Sequence, residues 1–178
     1  MIENLQNNLK KTLLNKVKIS KKNLTIKDIR LLDANNNYAS WFKSKDNIKF
    51  IDTAIPELTK KQLRNYILEF KLDQKKKLIG IYFKNKLHIG NISLSKISKN
   101  HNSLYLGIFI GNSKYRNRGY GSKAMSMLID YLFKKTFIKK IYLGVKKDNI
   151  RAIKAYKKNG FKIKKRTAYG YIMLLNYF

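Results

Sequence analysis

Cysteine is absent from the 178 residues, which rules out disulfides and thiolate metal sites. Histidine occurs twice, as His88 and His101, too few for a protein-held zinc centre. Acidic residues number 10 against 40 lysines and arginines, and arginine is the scarce member of that basic set. No stretch approaches the ~18 consecutive apolar residues of a membrane helix. The opening run Met1-Ile2-Glu3-Asn4-Leu5-Gln6 is polar and broken by charge, unlike a secretion signal. The expectation is a cytoplasmic protein that holds no metal.

A hydrophobic fraction of 44% and an aromatic content of 12% argue for a folded globule, and 178 residues suit one domain. The net charge of +30 raises a second class of function, a basic nucleic-acid-binding protein. The distribution speaks against it. Lysines are spread through every segment, and arginine, the preferred residue for planar phosphate and base contacts, is rare. Abundant Asn and Ile match a compositional bias toward AT-rich codons. The expected consequence is a solvated basic surface that favours small anionic ligands, an effect that fades with salt.

Residues 1–16 read as a helical or loosely attached extension with Leu5, Leu9, Leu13 and Leu14 roughly on one face. Residues 17–19 and 24–26 are each candidates for a first strand, and 29–32 is a short apolar run. Asp33 and Asn35–37 lead into a helix start at Tyr38-Ala39-Ser40-Trp41-Phe42, and 46–53 reads as a connector or short strand. After Pro56, residues 58–70 have helical spacing. The period then changes. Residues 78–83 and 87–95 form a hairpin about Lys84-Asn85-Lys86, 97–103 is a polar loop, and 104–110 is a strand. A helix over 122–133, a strand over 141–145, a helix ending near Lys158 with Asp148 or Asn149 as its cap and Gly160 as its stop, and strands over 161–164 and 171–175 complete the chain. This order predicts a mixed α/β domain with one sheet and flanking helices.

The most informative run is Tyr115-Arg116-Asn117-Arg118-Gly119-Tyr120-Gly121, between a strand and a helix. Two glycines let backbone amides approach an anion without a Cβ in the way. The helix that follows aims its unsatisfied N–H groups and positive dipole end at the same spot. Taken alone, the run predicts a phosphate cradle or a tight strand-to-helix turn.

From about residue 78 to 161 the chain resembles the GNAT superfamily of acetyl-CoA-dependent N-acetyltransferases. Arg116-x-x-Gly119-x-Gly121 matches that family's pyrophosphate signature. The run Asn149-Ile150-Arg151-Ala152-Ile153-Lys154-Ala155-Tyr156-Lys157-Lys158-Asn159-Gly160-Phe161 is similar to its later block of Asn, Ala, Tyr and closing Gly-Phe. His88-Ile89-Gly90-Asn91-Ile92 resembles the third strand of the branch that holds ribosomal-protein and amino-sugar acetyltransferases. The resemblance implies a mixed, mostly antiparallel central sheet flanked by helices and splayed between strands 4 and 5. It also implies one domain over 1–178, with acceptor-side elements at about 17–75 and an acetyl-CoA-binding core at about 78–161.

The implied roles are specific. Backbone amides at Arg118, Gly119, Gly121 and Ser122 would cradle the CoA pyrophosphate, with Arg116 opening the loop and helping to neutralise it. The backbone of Phe109 and Ile110 would pair with the pantetheine arm, and Asn149 would hydrogen-bond the cofactor. Tyr156 would protonate the leaving thiolate, a role that an ordinary phenol pKa of ~10 suits. Many relatives carry an acid on the fourth strand to deprotonate the amine, and Leu104-Tyr105-Leu106-Gly107-Ile108 has none. Candidate substitutes are His101, His88, Tyr105 or a water, with His101 taken as the base.

The acceptor is expected to be an amino sugar, linked to a nucleotide and used in surface-polysaccharide synthesis, because Tyr38-x-x-Trp41 resembles a segment of such enzymes. Alternatives are a protein N-terminus, a polyamine or an antibiotic. Tyr38, Trp41 and His88 are the candidate substrate contacts, although Tyr38, Trp41 and Phe42 equally suit packing of the first helix on the sheet. The partners implied are acetyl-CoA and a small amine, not a membrane or nucleic acid, and a homodimer is compatible with the chain.

Overall fold

The computed structural model describes residues 16–43, 49–50 and 58–177. The expected N-terminal extension, and the connector over 46–53 apart from residues 49–50, lie outside the described residues. Val17 is buried ahead of β1 (Lys18–Lys21), which turns through Lys22 and Asn23 into β2 (Leu24–Asp28). The two apolar runs at 17–19 and 24–26 are therefore both strands, paired antiparallel as a hairpin. A 3-10 turn, Leu31–Asp33, and a short helix α1 (Asn36–Ser40) follow. Asn35 caps α1 by accepting the Tyr38 N–H at 3.1 Å.

Helix α2 (Lys60–Leu72) opens on a reciprocal cap: Thr59 Oγ1 accepts the Gln62 N–H, and Gln62 Oε1 accepts the Thr59 N–H. Leu63 and Ile67, one turn apart, are its buried pair. Then come β3 (Lys77–Phe83), β4 (Leu87–Ser98) and β5 (Ser103–Ile110). Lys84 and Asn85 both have positive φ within the three-residue turn, 84–86, that joins the paired Phe83 and Leu87. β4 runs beyond the expected strand. A register break after Ser95, with Lys96 at φ 49, lets pairing resume at Ser98↔Ser103, so the loop expected over 97–103 shrinks to a tight turn.

Helix α3 (Tyr120–Lys135), β6 (Lys140–Lys146), α4 (Ile150–Lys158), β7 (Lys162–Arg166) and β8 (Gly170–Asn176) complete the fold. The eight strands run β1-β2-β3-β4-β5-β6-β8-β7, antiparallel except for β5 on β6. The sheet is thus mixed and mostly antiparallel, as expected. The N-terminal hairpin adds one strand to the count, so the splay falls between β5 and β6.

Two cores cover the sheet. Ala124, Met125, Leu128 and Leu132 of α3 pack with Ile26, Ile81, Ile92, Leu104 and Leu106. The second cluster joins Ile29, Tyr38, Trp41, Phe42, Leu63, Ile67 and Leu78. Between β2 and α1, Asp33 is buried yet satisfied: Tyr82 Oη donates to Oδ2 at 2.7 Å and the Arg30 N–H at 2.8 Å. Burial alone would raise the Asp33 pKa, but hydrogen bonds from Arg30 and Tyr82 outweigh it and hold the carboxyl below its ordinary value. No helix among the described residues is long and apolar enough to cross a membrane.

Candidate active site

The parallel pairing of β5 with β6 is short. Ser103, Leu104 and Tyr105 face Lys140, Ile141 and Tyr142, and the ladder ends there. β5 stays on β4 as far as Ile110, and β6 stays on β8 as far as Lys146. A wedge therefore opens between residues 106–110 and 143–146. Along it no strand among the described residues pairs with the β6-facing edge of β5, and backbone N–H and C=O groups there call for one. An extended ligand bearing amides can fill that place as an added strand.

The glycine loop meets the end of this wedge. A Cβ on Gly121 would lie 3.4 Å from Ile110 Cγ1, so the first turn of α3 abuts the last residue of β5. Gly119 is the N-cap of α3 at φ +78, with no side-chain cap and no acidic residue in the first turn. A Cβ there would meet nothing within 4 Å. Glycine at this position serves the left-handed backbone and an open approach, not packing. The first N–H groups of α3 keep no intrahelical acceptor, and the positive end of the helix is not neutralised.

Helix α4 completes the group. Asn149 caps it, its Oδ1 accepting the Ala152 N–H at 3.1 Å, which leaves the side-chain NH2 as the part able to meet a ligand. Tyr156 lies half-buried against Phe161, the ring centres 6.1 Å apart. Burial pushes its phenol pKa up to about 12. Such a group is protonated at neutral pH and is fitted to give a proton, not to take one.

A family model described as an acetyltransferase (GNAT) domain matches residues 23–162. The chain belongs to the GNAT acetyltransferase family. It is an acetyl-CoA-dependent N-acetyltransferase. Solved structures repeat the fold. A spermidine N-acetyltransferase from Vibrio cholerae, in complex with CoA and spermine, superposes with a TM-score of 0.77 at 19% identity, covering 88% of this chain and 96% of that one. A ribosomal L7/L12 alpha-N-protein acetyltransferase in complex with coenzyme A gives 0.78 at 15%, covering 89% and 96%. A ribosomal-protein-S5-alanine acetyltransferase from Vibrio fischeri gives 0.75 at 18%, covering 89% and 94%. At these identities the likeness is one of fold.

Within this GNAT domain, the side chains expected from sequence separate into two groups. Phe109, Ile110, Gly119, Gly121 and Ser122 come together where β5 meets α3, with Arg116 beside them and the exposed Arg118 in the loop between. Arg116 is fastened to that strand: Nε donates to the Ile110 carbonyl at 2.8 Å, and the guanidinium carbon stands 5.6 Å from the centre of the Phe109 ring. This contact makes Arg116 a brace for the end of β5, a role that sequence spacing does not reveal.

The expected substrate contacts do not form an open platform. Tyr38 is 1% exposed, Trp41 2% and His88 4%. Their rings pack on one another, with Trp41 4.8 Å and Tyr38 5.2 Å from the imidazole and Tyr82 stacked on it at 5.0 Å. His88 Nε2 lies 2.8 Å from Asn91 Oδ1, and burial pushes its pKa down, so the ring is neutral. Trp41 also packs edge-on to Phe109 and fills the space that a side chain at Gly111 would need. These aromatics support the end of β5 from behind.

His101 is also misplaced for the role of base. It occupies the exposed turn before β5, where its N–H donates to Ser98 Oγ at 3.2 Å. Phe109 lies near the other end of that strand, roughly 20 Å from its first residue Ser103 at ~3.3 Å per residue. The strands that frame the wedge, β4, β5, β6 and β8, contain no Asp or Glu.

Sequence reasoning missed the ties between the loop and α4. Asn159 Nδ2 donates to Ser122 Oγ at 2.7 Å, and the Arg151 guanidinium donates to Asn117 Oδ1. The only signal for them is the placement of Asn and Arg at the two ends of one short helix, which acquires meaning once that helix is docked.

Proposed function

We propose that this enzyme acetylates a primary amine carried on an anionic molecule, a nucleotide-linked amino sugar being the reading its chemistry favours. The observation that carries it is electrostatic: a chain of net charge +30 has no carboxylate on any strand beside its wedge. A polyamine or a basic peptide would meet like charge on approach and find no acid on those strands to hold it. An amine on a nucleotide diphosphate would be drawn in.

In this reading residues 78–161 serve the donor and residues 17–75 shape the acceptor side. Backbone amides of Arg118, Gly119, Gly121 and Ser122 hold the pyrophosphate at the positive end of α3. The backbone of Phe109 and Ile110 pairs with the pantetheine arm in the wedge, and the Asn149 NH2 group adds a hydrogen bond. Arg116 keeps the end of β5 in place. The amine nitrogen attacks the thioester carbonyl carbon, and the tetrahedral adduct breaks its C–S bond. The Tyr156 phenol gives its proton to the departing thiolate and regains one, through water, from the adduct's nitrogen, which sheds it as the amide forms. The proton that the ammonium must lose passes to water, and fixing two reactants in line supplies much of the acceleration.

The test is thiol release from acetyl-CoA with a panel of amines: a nucleotide-diphosphate-linked 4-amino sugar, the free amino sugar, spermidine and a basic peptide. The expected order has the nucleotide-linked sugar first, with a KM that rises with salt. Faster turnover of spermidine or the peptide would overturn the acceptor assignment and leave acetyl transfer standing.

A further inference from the structure

Two polar bridges join the glycine loop to α4, one on either side of Tyr156. On the N-terminal side Arg151 donates to Asn117 Oδ1 at the exposed surface. On the C-terminal side Asn159 Nδ2 donates to Ser122 Oγ at 2.7 Å and to the Ala155 carbonyl at 2.8 Å, in a half-buried site. The turn bearing the phenol is tied to the same asparagine, because the Tyr156 carbonyl accepts the Asn159 N–H at 3.0 Å and the Phe161 N–H at 3.1 Å. Asn159 thus links the first turn of α3 to the turn of α4 that carries Tyr156.

We propose that Asn159 is a positioning residue that makes the placement of Tyr156 depend on the donor's pyrophosphate. This rests on the reading above, in which the loop holds the pyrophosphate and Tyr156 protonates the thiolate. An anion drawn onto the open N–H groups of α3 fixes the first turn of that helix. Ser122 Oγ, on that turn, then fixes Asn159, and with it the C-terminal end of α4. Contact energy gained far from the reacting carbon is thereby expressed at the leaving sulfur, where it raises kcat and leaves KM almost unchanged. A displacement of ~1 Å at a reacting group can lower a rate by roughly 10²-fold, so a single well-placed bridge has ample leverage.

The experiment compares acetyl-CoA with acetyl-pantetheine, which keeps the thioester and the arm but lacks the pyrophosphate, using the amine of the panel that turns over fastest. Asn159→Ala removes the donor of the bridge. Ser122→Ala removes its acceptor and keeps the backbone N–H. Each is expected to lower kcat on acetyl-CoA about tenfold with KM within about twofold, and the double variant to be no worse than either single one, as for two halves of one interaction. Neither variant should change kcat on acetyl-pantetheine by more than about twofold, and Asn159→Ala should add nothing in a Tyr156→Phe background. Additive losses, equal losses on both donors, or a rise in KM alone would overturn the proposal. Should Asn159→Ala fold poorly, Ser122→Ala alone still tests the donor dependence, the split between kcat and KM, and the loss of its effect in the Tyr156→Phe background. If Tyr156→Phe itself is silent, the parent reading fails, a result distinct from failure of the bridge.

Discussion

The two faces of the sheet near the end of β5 carry similar residue types in opposite states. On the side of α1 and α2, the rings of Tyr38, Trp41, Tyr82 and His88 are buried against one another, Tyr82 donates to the buried Asp33, and His88 Nε2 meets Asn91 Oδ1. On the side of α3 and α4, the N-terminus of a 16-residue helix carries no side-chain cap, the β6-facing edge of β5 pairs with no strand among the described residues beyond Tyr105, and the Tyr156 ring packs against Phe161. Aromatic and polar residues that complete each other's contacts build a support. Groups left without partners beside open space mark where a ligand completes the structure.

The comparison is broken most severely at Tyr156. Tyr156→Phe is expected to reduce kcat by roughly 10²- to 10⁴-fold, the range for loss of a general acid, with acetyl-CoA affinity little changed by calorimetry. The pH dependence follows from the same residue. A phenol raised to about 12 in the folded protein, from ~10 unfolded, keeps its proton across the neutral and mildly alkaline range. Its contribution to stability is therefore full below pH ~10 and lost as pH rises through about 12. A kcat profile should show no alkaline fall from Tyr156 below that region.

On the opposite face, Trp41→Ala is expected to lower unfolding free energy by about 3–5 kcal/mol, as for loss of a buried large aromatic, measured by denaturant titration. The fraction that remains folded should still bind acetyl-CoA. Intact stability with a raised acceptor KM would instead make Trp41 a substrate contact. Asp33→Asn removes one half of a buried hydrogen-bonded set and should cost about 2 kcal/mol. The smallest effect is expected at His101, where His101→Ala should leave kcat and its pH profile unchanged because the side chain stands at the wrong end of β5.

The loop at the start of α3 was legible because its shape depends on backbone. A left-handed glycine, a helix start and a strand-to-helix junction leave a fixed spacing in the sequence, and Arg116-x-x-Gly119-x-Gly121 carries it whatever the other side chains are. The hairpin about residues 84–86, the α3 stripe and a helix cap at Asn149 were also legible, from turn residues, apolar spacing and cap chemistry, whereas the β1–β2 hairpin was not. Tyr38 and Trp41 were not, since an aromatic at helical spacing looks alike whether it packs inward or waits for a ring. His101 is of a residue type that often serves as a base, but it stands at the end of β5 away from the glycine loop, which only strand direction reveals. Arg116 and Asn159 act on groups brought near by tertiary docking, and local pattern says nothing of those.

The most direct test is a calorimetric titration of acetyl-CoA into the wild-type chain and into Gly119→Val. A β-branched residue at φ +78 carries strain of roughly 1–3 kcal/mol, yet it meets no neighbour that would oppose folding. The account predicts one saturable site in the wild type and an affinity weaker by about 10- to 100-fold in the variant, which stays folded with a Tm lower by several degrees. Equal affinity in the two proteins would contradict a pyrophosphate site at the start of α3.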